Sequence, residues 1–168
     1  MIIGVDPGIG GALVILYEDG EIVDTLLMPT IKVGTKSRVN GAAIAAWVKQ
    51  WCDRFENDHT ARPFHAFLEQ VGAMPGQGTA SMFTFGHAAG LVEGVITGAG
   101  IPLTLVTPQA WKKKAGLIGQ DKDAARSRAI QLYPSCRLLD LKGKGQALAD
   151  AILIARHGIW LAGSGSVS

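Results

Sequence analysis

Hydrophobic runs separated by glycine-rich turns predict five short strands in this chain. They lie at residues 1–5, 12–17, 21–28, 64–69 and 101–106. The turn Glu18-Asp19-Gly20 joins the second run to the third, and its glycine can supply the positive φ that a tight hairpin needs. We therefore expect the first three strands to form an antiparallel meander. The polar segment 30–40 is expected to be a mobile loop.

Hydrophobic residues at helical spacing predict four helices. Within residues 40–55, one stripe is formed by Ile44, Trp47, Val48, Trp51 and Phe55. Residues 79–98, 121–132 and 147–161 are expected to be the other three helices. Three hairpin-linked strands followed by alternating helices and strands indicate an α/β fold. We expect a mixed five-stranded sheet, with an antiparallel meander and then parallel strands, flanked by helices.

The second predicted helix carries a glycine at every fourth position, namely Gly86, Gly90, Gly94 and Gly98. Each glycine inside a helix costs about 1 kcal/mol relative to alanine, so some other interaction should offset the cost. A ridge without side chains lets another backbone approach closely. Either the chain's own sheet or a partner subunit could use it, and the sequence leaves both open.

The composition is that of a single folded domain. Of 168 residues, 48% are hydrophobic and 18% are charged, which excludes an intrinsically disordered chain. We assign residues 1–162 to the domain and the Gly/Ser-rich residues 163–168 to a flexible tail. Cys52 and Cys136 lack metal-binding spacing and are expected to be reduced thiols. No leader or membrane-spanning run is recognisable, so we expect a cytoplasmic protein.

The net charge is only +2, but basic residues cluster between positions 112 and 128. This cluster contains Lys112, Lys113, Lys114, Lys122, Arg126 and Arg128, against Asp121 and Asp123. Clustered basic residues indicate a polyanionic partner more strongly than the total charge does.

Three acidic residues end or interrupt hydrophobic elements: Asp6 after the first strand, Glu69 at the end of the fourth, and Asp150 in the last helix. Taken singly, they could be a turn aspartate, a solvated strand end and a partner of Arg156 or of a lysine. If the first and fourth strands are parallel neighbours, Asp6 and Glu69 meet at one edge of the sheet, and a crossing helix could add Asp150. Such a carboxylate cluster favours Mg²⁺ or Mn²⁺, and two ions could assist phosphate hydrolysis.

Four segments resemble motifs of the RuvC-type Holliday junction resolvases of the RNase H-like superfamily. Ile3-Gly4-Val5-Asp6-Pro7-Gly8 is similar to the first-strand motif of that family, and Leu68-Glu69-Gln70 is similar to its second acidic motif. Residues 106–113 and 119–123 are similar to segments of phage and prophage members. The resemblance extends from residue 2 to about residue 158, and the ordered combination of motifs makes it specific.

The resemblance implies an RNase H-like fold and a homodimer that cuts four-way DNA junctions by paired nicks with Mg²⁺, for which Mn²⁺ can substitute. It implies that Asp6, Glu69 and Asp150 bind metal, and that Lys112 and Lys122 act at the scissile phosphate. Further DNA contacts are expected from Lys113, Lys114, Gln77 and Phe83, although Phe83 could instead be core. The protein would then function in a bacterial or phage-infected cell.

One position departs from the family pattern. The last helix of the family usually offers two metal ligands three residues apart, and here the first of them is Ala147. Another group could serve, such as Asp140 or His157, or the protein could bind junctions without cutting them. Alternatively, alanine replaces a native aspartate at this position, and we favour this explanation because the rest of the site is intact.

Rival functions remain on the sequence alone. A related nuclease could act on flaps, other branched DNA or RNA–DNA hybrids, since residue types at the site do not distinguish these substrates. An ATP-using protein of the actin and sugar-kinase type would also begin with a strand, an aspartate and a glycine-rich turn such as residues 6–11. That architecture needs two related domains, and 168 residues supply one.

Overall fold

The computed structural model of this chain describes residues 1–56, 63–70, 72, 76 and 78–164. Within these ranges the chain forms seven strands, five α-helices and one 3₁₀ turn. The strands are β1 (Ile2–Asp6), β2 (Ala12–Leu16), β3 (Ile22–Leu27), β4 (Thr30–Val33), β5 (Lys36–Val39), β6 (His65–Glu69) and β7 (Leu103–Val106). The helices are α1 (Gly41–Glu56), α2 (Thr79–Gly98), α3 (Pro108–Ala115), α4 (Ala124–Leu132) and α5 (Lys142–Ser164), and the 3₁₀ turn is Arg137–Asp140.

Five of the described strands form one sheet, in the order β3-β2-β1-β6-β7. β2 pairs antiparallel with both β1 and β3, which confirms the predicted meander. β6 pairs parallel with both β1 and β7. The predicted mixed sheet is thus confirmed, and β1 lies at its centre, where antiparallel pairing gives way to parallel pairing.

Residues 30–39 form a β-hairpin instead of the expected loop. Thr30 is paired with Val39, and Val33 with Lys36, while Gly34 adopts a φ of +62° in the turn. Lys32 Nζ also donates a hydrogen bond to Ser37 Oγ at 3.0 Å. The prediction was wrong because both strands are largely exposed, so their sequence lacks the hydrophobic run that marks a buried strand.

The helices also differ from the prediction in two places. α3 was not expected as a separate helix; Thr107 caps it by accepting a hydrogen bond from the backbone N–H of Ala110 at 3.2 Å, and Gly116 ends it at a φ of +74°. α5 begins five residues earlier than expected, at Lys142, and continues through Ser164. Gly163 and Ser164 are therefore helical rather than part of the tail that composition suggested.

Helices cover both faces of the sheet. α5 crosses one face with α3 and α4 beside it, where Ile2 and Phe67 are buried. α1 and α2 cover the opposite face, where Ile3 and Val5 are buried. Successive residues of β1 alternate between these two layers because side chains of a strand point to opposite faces in turn.

Gly4 lets α5 approach β1 at backbone distance. A Cβ atom at Gly4 would collide with the carbonyl oxygen of Ala151 and would lie only 2.6 Å from the Cβ of Ala155. At Gly158, the next contact along α5, a Cβ would collide with the ring of Phe67. Small residues on both sides therefore set the distance between the central strands and the helix that carries Asp150.

The glycine ridge of α2 faces solvent in this chain. A Cβ added at Gly86, Gly90, Gly94 or Gly98 would meet nothing within 4 Å. The helix packs on the core through Ala88, Val92 and Ile96 instead. Packing of the ridge against the chain's own sheet is thereby excluded.

Two smaller expectations concern the cysteines and membranes. Cys52 and Cys136 are free thiols. None of the helices in the described part of the chain combines the length and hydrophobicity that crossing a bilayer requires.

Replacing Gly4 with alanine is expected to destabilise the protein by about 2–4 kcal/mol, because α5 must move away from β1 to make room for the methyl group. Gly10→Ala is the matched control, since a Cβ at this exposed position meets nothing within 4 Å and its φ is not positive. Urea unfolding of the two variants and the parent chain measures the difference. Equal stability of both variants would contradict the proposed close packing.

Candidate functional site

Asp6 and Glu69 are the last residues of the neighbouring parallel strands β1 and β6. Val5 is aligned with Leu68, so the next residue of each strand, a carboxylate in both cases, comes to the same edge of the sheet. Both carboxylates also belong to the face covered by α5, because Ile2 and Phe67, an even number of residues away, pack there. The structure therefore brings this predicted pair together.

Asp150 joins the pair from α5. Its pKa is raised to about 7, first by burial and then by the negative charges of Asp6 and Glu69, while the positive charge of Lys112 opposes the shift. The pKa of Asp6 is raised to about 6 by burial and by the charge of Glu69, against a hydrogen bond from the Gly8 backbone. The three carboxylates thus form one electrostatic cluster.

α3, the helix that sequence reasoning missed, holds Glu69 in place. The indole Nε1 of Trp111 donates a hydrogen bond to Glu69 Oε1 at 2.9 Å, and Trp111 is only 1% exposed. Lys112 Nζ lies 5.2 Å from the centre of the same indole ring. One helix therefore orients a carboxylate through a buried tryptophan and places a lysine beside it.

A cleft of about 410 Å³ opens beside Asp150, and both predicted lysines, Lys112 and Lys122, line it. Lys113 and Lys114 do not line this cleft: Lys113 is exposed, and Lys114 lies against Trp160 on another part of the surface. The structure thereby separates the two predicted lysines that line the cleft beside Asp150 from the two that lie outside it.

Gln146 lines the same cleft and was missed by sequence reasoning. Its Nε2 donates a hydrogen bond to Asp150 Oδ1 at 3.0 Å, and its Oε1 is buried without a partner among the described residues. The signal that could have identified it is its position four residues before Asp150, because side chains four apart on a helix are neighbours. Gln146 therefore orients Asp150 and leaves one oxygen acceptor available beside it.

Neither suggested substitute for a carboxylate at Ala147 lies with the other three. Asp140 is exposed and forms an ion pair with Arg137 at 3.5 Å. His157 lines a different cavity, against Trp160. Ala147 itself is 6% exposed, within the core layer of α5. The idea that Asp140 or His157 replaces the missing ligand is therefore not supported by their positions.

The side-chain oxygens beside Asp150 have the chemistry of a divalent-ion site. Carboxylate oxygens in mutual repulsion, with the amide oxygen of Gln146 beside them, are the chemistry that Mg²⁺ and Mn²⁺ prefer. Among the described residues, however, no three His, Cys, Asp or Glu side chains are arranged so that they could hold one ion as they stand. The residue types fit such an ion, which would have to draw the carboxylates closer together.

The remaining predicted contacts lie around the start of α2. Phe83 is 70% exposed, so the alternative that it is a core residue was wrong. It lines a cleft with Lys36 and Arg38 of the hairpin β4–β5. Gln77 lies outside the described residues.

The glycine-rich turn after β1 closes on its own backbone. Gly11 N donates a hydrogen bond to Gly8 O at 2.8 Å, and a Cβ at Gly11 would collide with the backbone of Asp6. A phosphate-binding loop instead turns its N–H groups towards the ligand. Gly11 is thus explained by packing, and the turn gives no support to the ATP-binding alternative.

The chain is similar to known Holliday junction resolvases in both sequence and fold. No protein-family model matches it. It is 32% identical over 98 residues to the chloroplastic Holliday junction resolvase MOC1 of Chlamydomonas reinhardtii. The matched segment is 56% of this chain but only 11% of that protein. In fold it is similar to Thermus thermophilus RuvC in complex with a Holliday junction substrate, with 19% identity, a TM-score of 0.61, and coverage of 98% of this chain and 96% of that one. A second RuvC structure from Thermus thermophilus gives 20% identity and a TM-score of 0.54 at the same coverage.

The likeness to RuvC confirms the expected fold class over nearly the whole chain. The resemblance first seen in the motifs is also confirmed as a similarity of sequence and fold. The assignment to a phage or prophage branch stays a prediction.

Asp150→Asn is expected to stabilise the metal-free protein by about 1–2 kcal/mol at pH 8, above the raised pKa values of both aspartates. When folding raises the pKa of a carboxyl group, the folded protein loses stability as the pH rises through the raised pKa. A neutral amide does not ionise, so the variant avoids this loss. Thermal unfolding in EDTA measures the gain.

Asp140→Asn is the control for this measurement, because Asp140 is exposed and its ion pair is worth little. Added Mg²⁺ should raise the Tm of the parent chain more than that of Asp150→Asn. A lower Tm for Asp150→Asn than for the parent in EDTA would contradict the proposed repulsion.

Proposed function

We propose that this chain is a RuvC-type endonuclease that resolves four-way DNA junctions by metal-dependent nicks. The observation that carries the proposal is the convergence of Asp6, Glu69 and Asp150 at one edge of a RuvC-like sheet, next to a cleft lined by Lys112 and Lys122. The relatives similar in sequence and in fold are named for Holliday junctions, which supports the same substrate.

Asp6, Glu69 and Asp150 would hold Mg²⁺, with Mn²⁺ as a substitute. When bound, such an ion activates water and stabilises the leaving oxygen of a phosphodiester. The chain's own contribution is to fix the carboxylates: Trp111 donates to Glu69, and Gln146 donates to Asp150. These two hydrogen bonds hold side chains that would otherwise turn away from one another.

Lys112 and Lys122 would hold the scissile phosphate and stabilise the charge that develops on it. Both line the cleft beside Asp150, so a phosphate there would be within reach of each. Lys113 would contact the DNA backbone as an exposed charge, independent of sequence. Phe83, with Lys36 and Arg38 nearby, offers an aromatic face for an unpaired base.

A homodimer is part of the proposal, because paired nicks need two sites. The exposed glycine ridge of α2 supports it, since the chain's own sheet does not use this surface. Close approach of a second helix would offset the conformational cost of four glycines.

A second candidate, junction binding without cleavage, is favoured by Ala147. This residue lies three positions before Asp150, almost one helical turn away, where the family usually has a metal ligand. Our preferred explanation remains that alanine stands in place of a native aspartate. Gln146, at the neighbouring position, offers an amide oxygen and no negative charge, so it would replace a carboxylate only weakly.

Ala147→Asp is expected to give stronger Mg²⁺-dependent cutting of a four-way junction than the parent chain, because it adds a fourth carboxylate. Symmetric nicks in the junction, with little cutting of a flap or a linear duplex of the same sequence, would support the proposal. Asp6→Asn in the Ala147→Asp background is the control and should bind the junction but not cut it. Gel assays with end-labelled strands measure both binding and cutting.

The outcomes separate the alternatives. Equal cutting of linear duplex would contradict junction selectivity, and preferential cutting of flaps would identify a related nuclease. If the parent chain and Ala147→Asp both bind the junction tightly and neither cuts it, the protein is a junction-binding protein. Absence of a gain in Ala147→Asp would overturn the replaced-aspartate explanation.

Lys112 and Lys113 are expected to act differently although they are adjacent. Both variants are made in the parent chain or in Ala147→Asp, whichever of the two cuts junctions. Lys112→Gln should lower kcat on the order of 10²-fold, because it removes a charge beside the scissile phosphate. Lys113→Gln should instead weaken binding and reduce the slope of affinity against salt by about one unit. Single-turnover rates and binding at several salt concentrations distinguish the two effects, and identical defects would contradict the separation of these lysines.

A further inference from the structure

A second cavity, of about 290 Å³, lies between α3, α4 and α5, away from the carboxylates. Four basic side chains line it: Lys114 from α3, Arg128 from α4, and Arg156 and His157 from α5. No aspartate or glutamate is among its lining residues. The cavity therefore concentrates positive charge without a counter-charge of its own.

His157 is the buried polar group of this cavity. It is 6% exposed, and its Nδ1 is buried with no hydrogen-bond partner among the described residues. Burial, together with the charge of Lys114, lowers the pKa of its imidazole. A buried nitrogen without a partner costs free energy on the order of 1–3 kcal/mol, so a ligand that bonds to it would recover that cost.

The basic side chains around His157 are held by neighbours that carry no negative charge. Lys114 Nζ lies 4.0 Å from the centre of the Trp160 ring. Arg156 donates a hydrogen bond to the Tyr133 hydroxyl at 3.1 Å, and Arg128 donates to Gln131 Oε1 at 3.3 Å. Lys114 and Arg128 therefore keep their charge available to a ligand in this cavity, whereas Arg156 also lines a neighbouring cavity with Asp19, Glu21 and Asp24.

The cavity is separate from the carboxylate site. His157 follows Asp150 by seven residues on α5, which places it about 10 Å further along the helix axis. Asp150 lines the other cleft, with Lys112 and Lys122. The carboxylates therefore do not neutralise this second group of cations by direct contact.

We propose that this cavity is an anion-binding site that takes a phosphate group. Lys114, Arg128 and Arg156 supply charge, and guanidinium groups match the geometry of phosphate oxygens. His157 lines the same cavity, and a turn of its imidazole would bring the nitrogen that lacks a partner to the phosphate. The phosphate could belong to a DNA strand or to a free anion, and the site does not depend on the nuclease proposal.

The test is a titration of the full chain with inorganic phosphate at constant ionic strength, followed by calorimetry and by tryptophan fluorescence. Trp111 and Trp160 both line the cavity, so occupancy should change the fluorescence. Lys114→Gln and Arg128→Gln are each expected to weaken phosphate binding at least tenfold. Lys144→Gln, an exposed position near the start of α5 and outside the cavity, should leave the affinity unchanged.

A signal from His157 distinguishes a built site from diffuse surface charge. The imidazole resonances of His157 should shift on phosphate addition in the parent chain but not in Lys114→Gln. No saturable binding, or equal losses in Lys144→Gln and Lys114→Gln, would overturn the proposal. Because Lys114 and Arg128 are exposed, their variants should fold, and circular dichroism checks this.

Two further titrations identify the source of the phosphate. A short single-stranded oligonucleotide that competes with inorganic phosphate, and loses affinity in Lys114→Gln, would assign the cavity to a DNA strand. Phosphate binding that the oligonucleotide does not displace would assign it to a free anion. Either result supports the site, and either can occur whether or not the chain cuts junctions.

Discussion

The close approach of α5 to β1 is the contact on which the rest of the structure depends. It exists because Gly4 has no side chain where the strand meets Ala151 and Ala155 of the helix. The same approach carries Asp150 to the edge of the sheet where β1 ends at Asp6 and β6 ends at Glu69. Packing and chemistry therefore share one constraint, since a side chain at Gly4 would disturb the core and the carboxylate cluster together.

The cluster that this packing creates is electrostatically unfavourable in the folded chain. Burial and mutual repulsion raise the pKa values of Asp6 and Asp150 towards neutrality. Trp111 donates a hydrogen bond to Glu69, and Gln146 donates one to Asp150. Neither donor carries a positive charge that would offset the repulsion. Carboxylates with pKa values raised in this way are the pattern expected at a functional site, and the proposed Mg²⁺ would relieve their repulsion.

The three consecutive lysines of α3 show how a helix divides one basic run into different surfaces. Successive side chains on a helix point about 100° apart, so neighbours in sequence face different directions. Lys112 reaches the cleft of Asp150, Lys114 packs over Trp160 in the second cavity, and Lys113 is exposed on its own. The basic run in the sequence therefore distributes its charges over three different parts of the surface.

Sequence alone determined the five strands of the main sheet, its antiparallel and parallel halves, and the three carboxylates, because buried strands and helices impose local periods on hydrophobic residues. It also supported the resemblance to RuvC-type resolvases, since short motifs keep their order along the chain. Only the tertiary structure decided the exposed hairpin β4–β5, the solvent-facing ridge of α2 and the hydrogen bond from Trp111 of α3 to Glu69 of β6. Exposed strands lack a hydrophobic signature, and a side chain's partner on another element depends on how the elements pack, which no local pattern records.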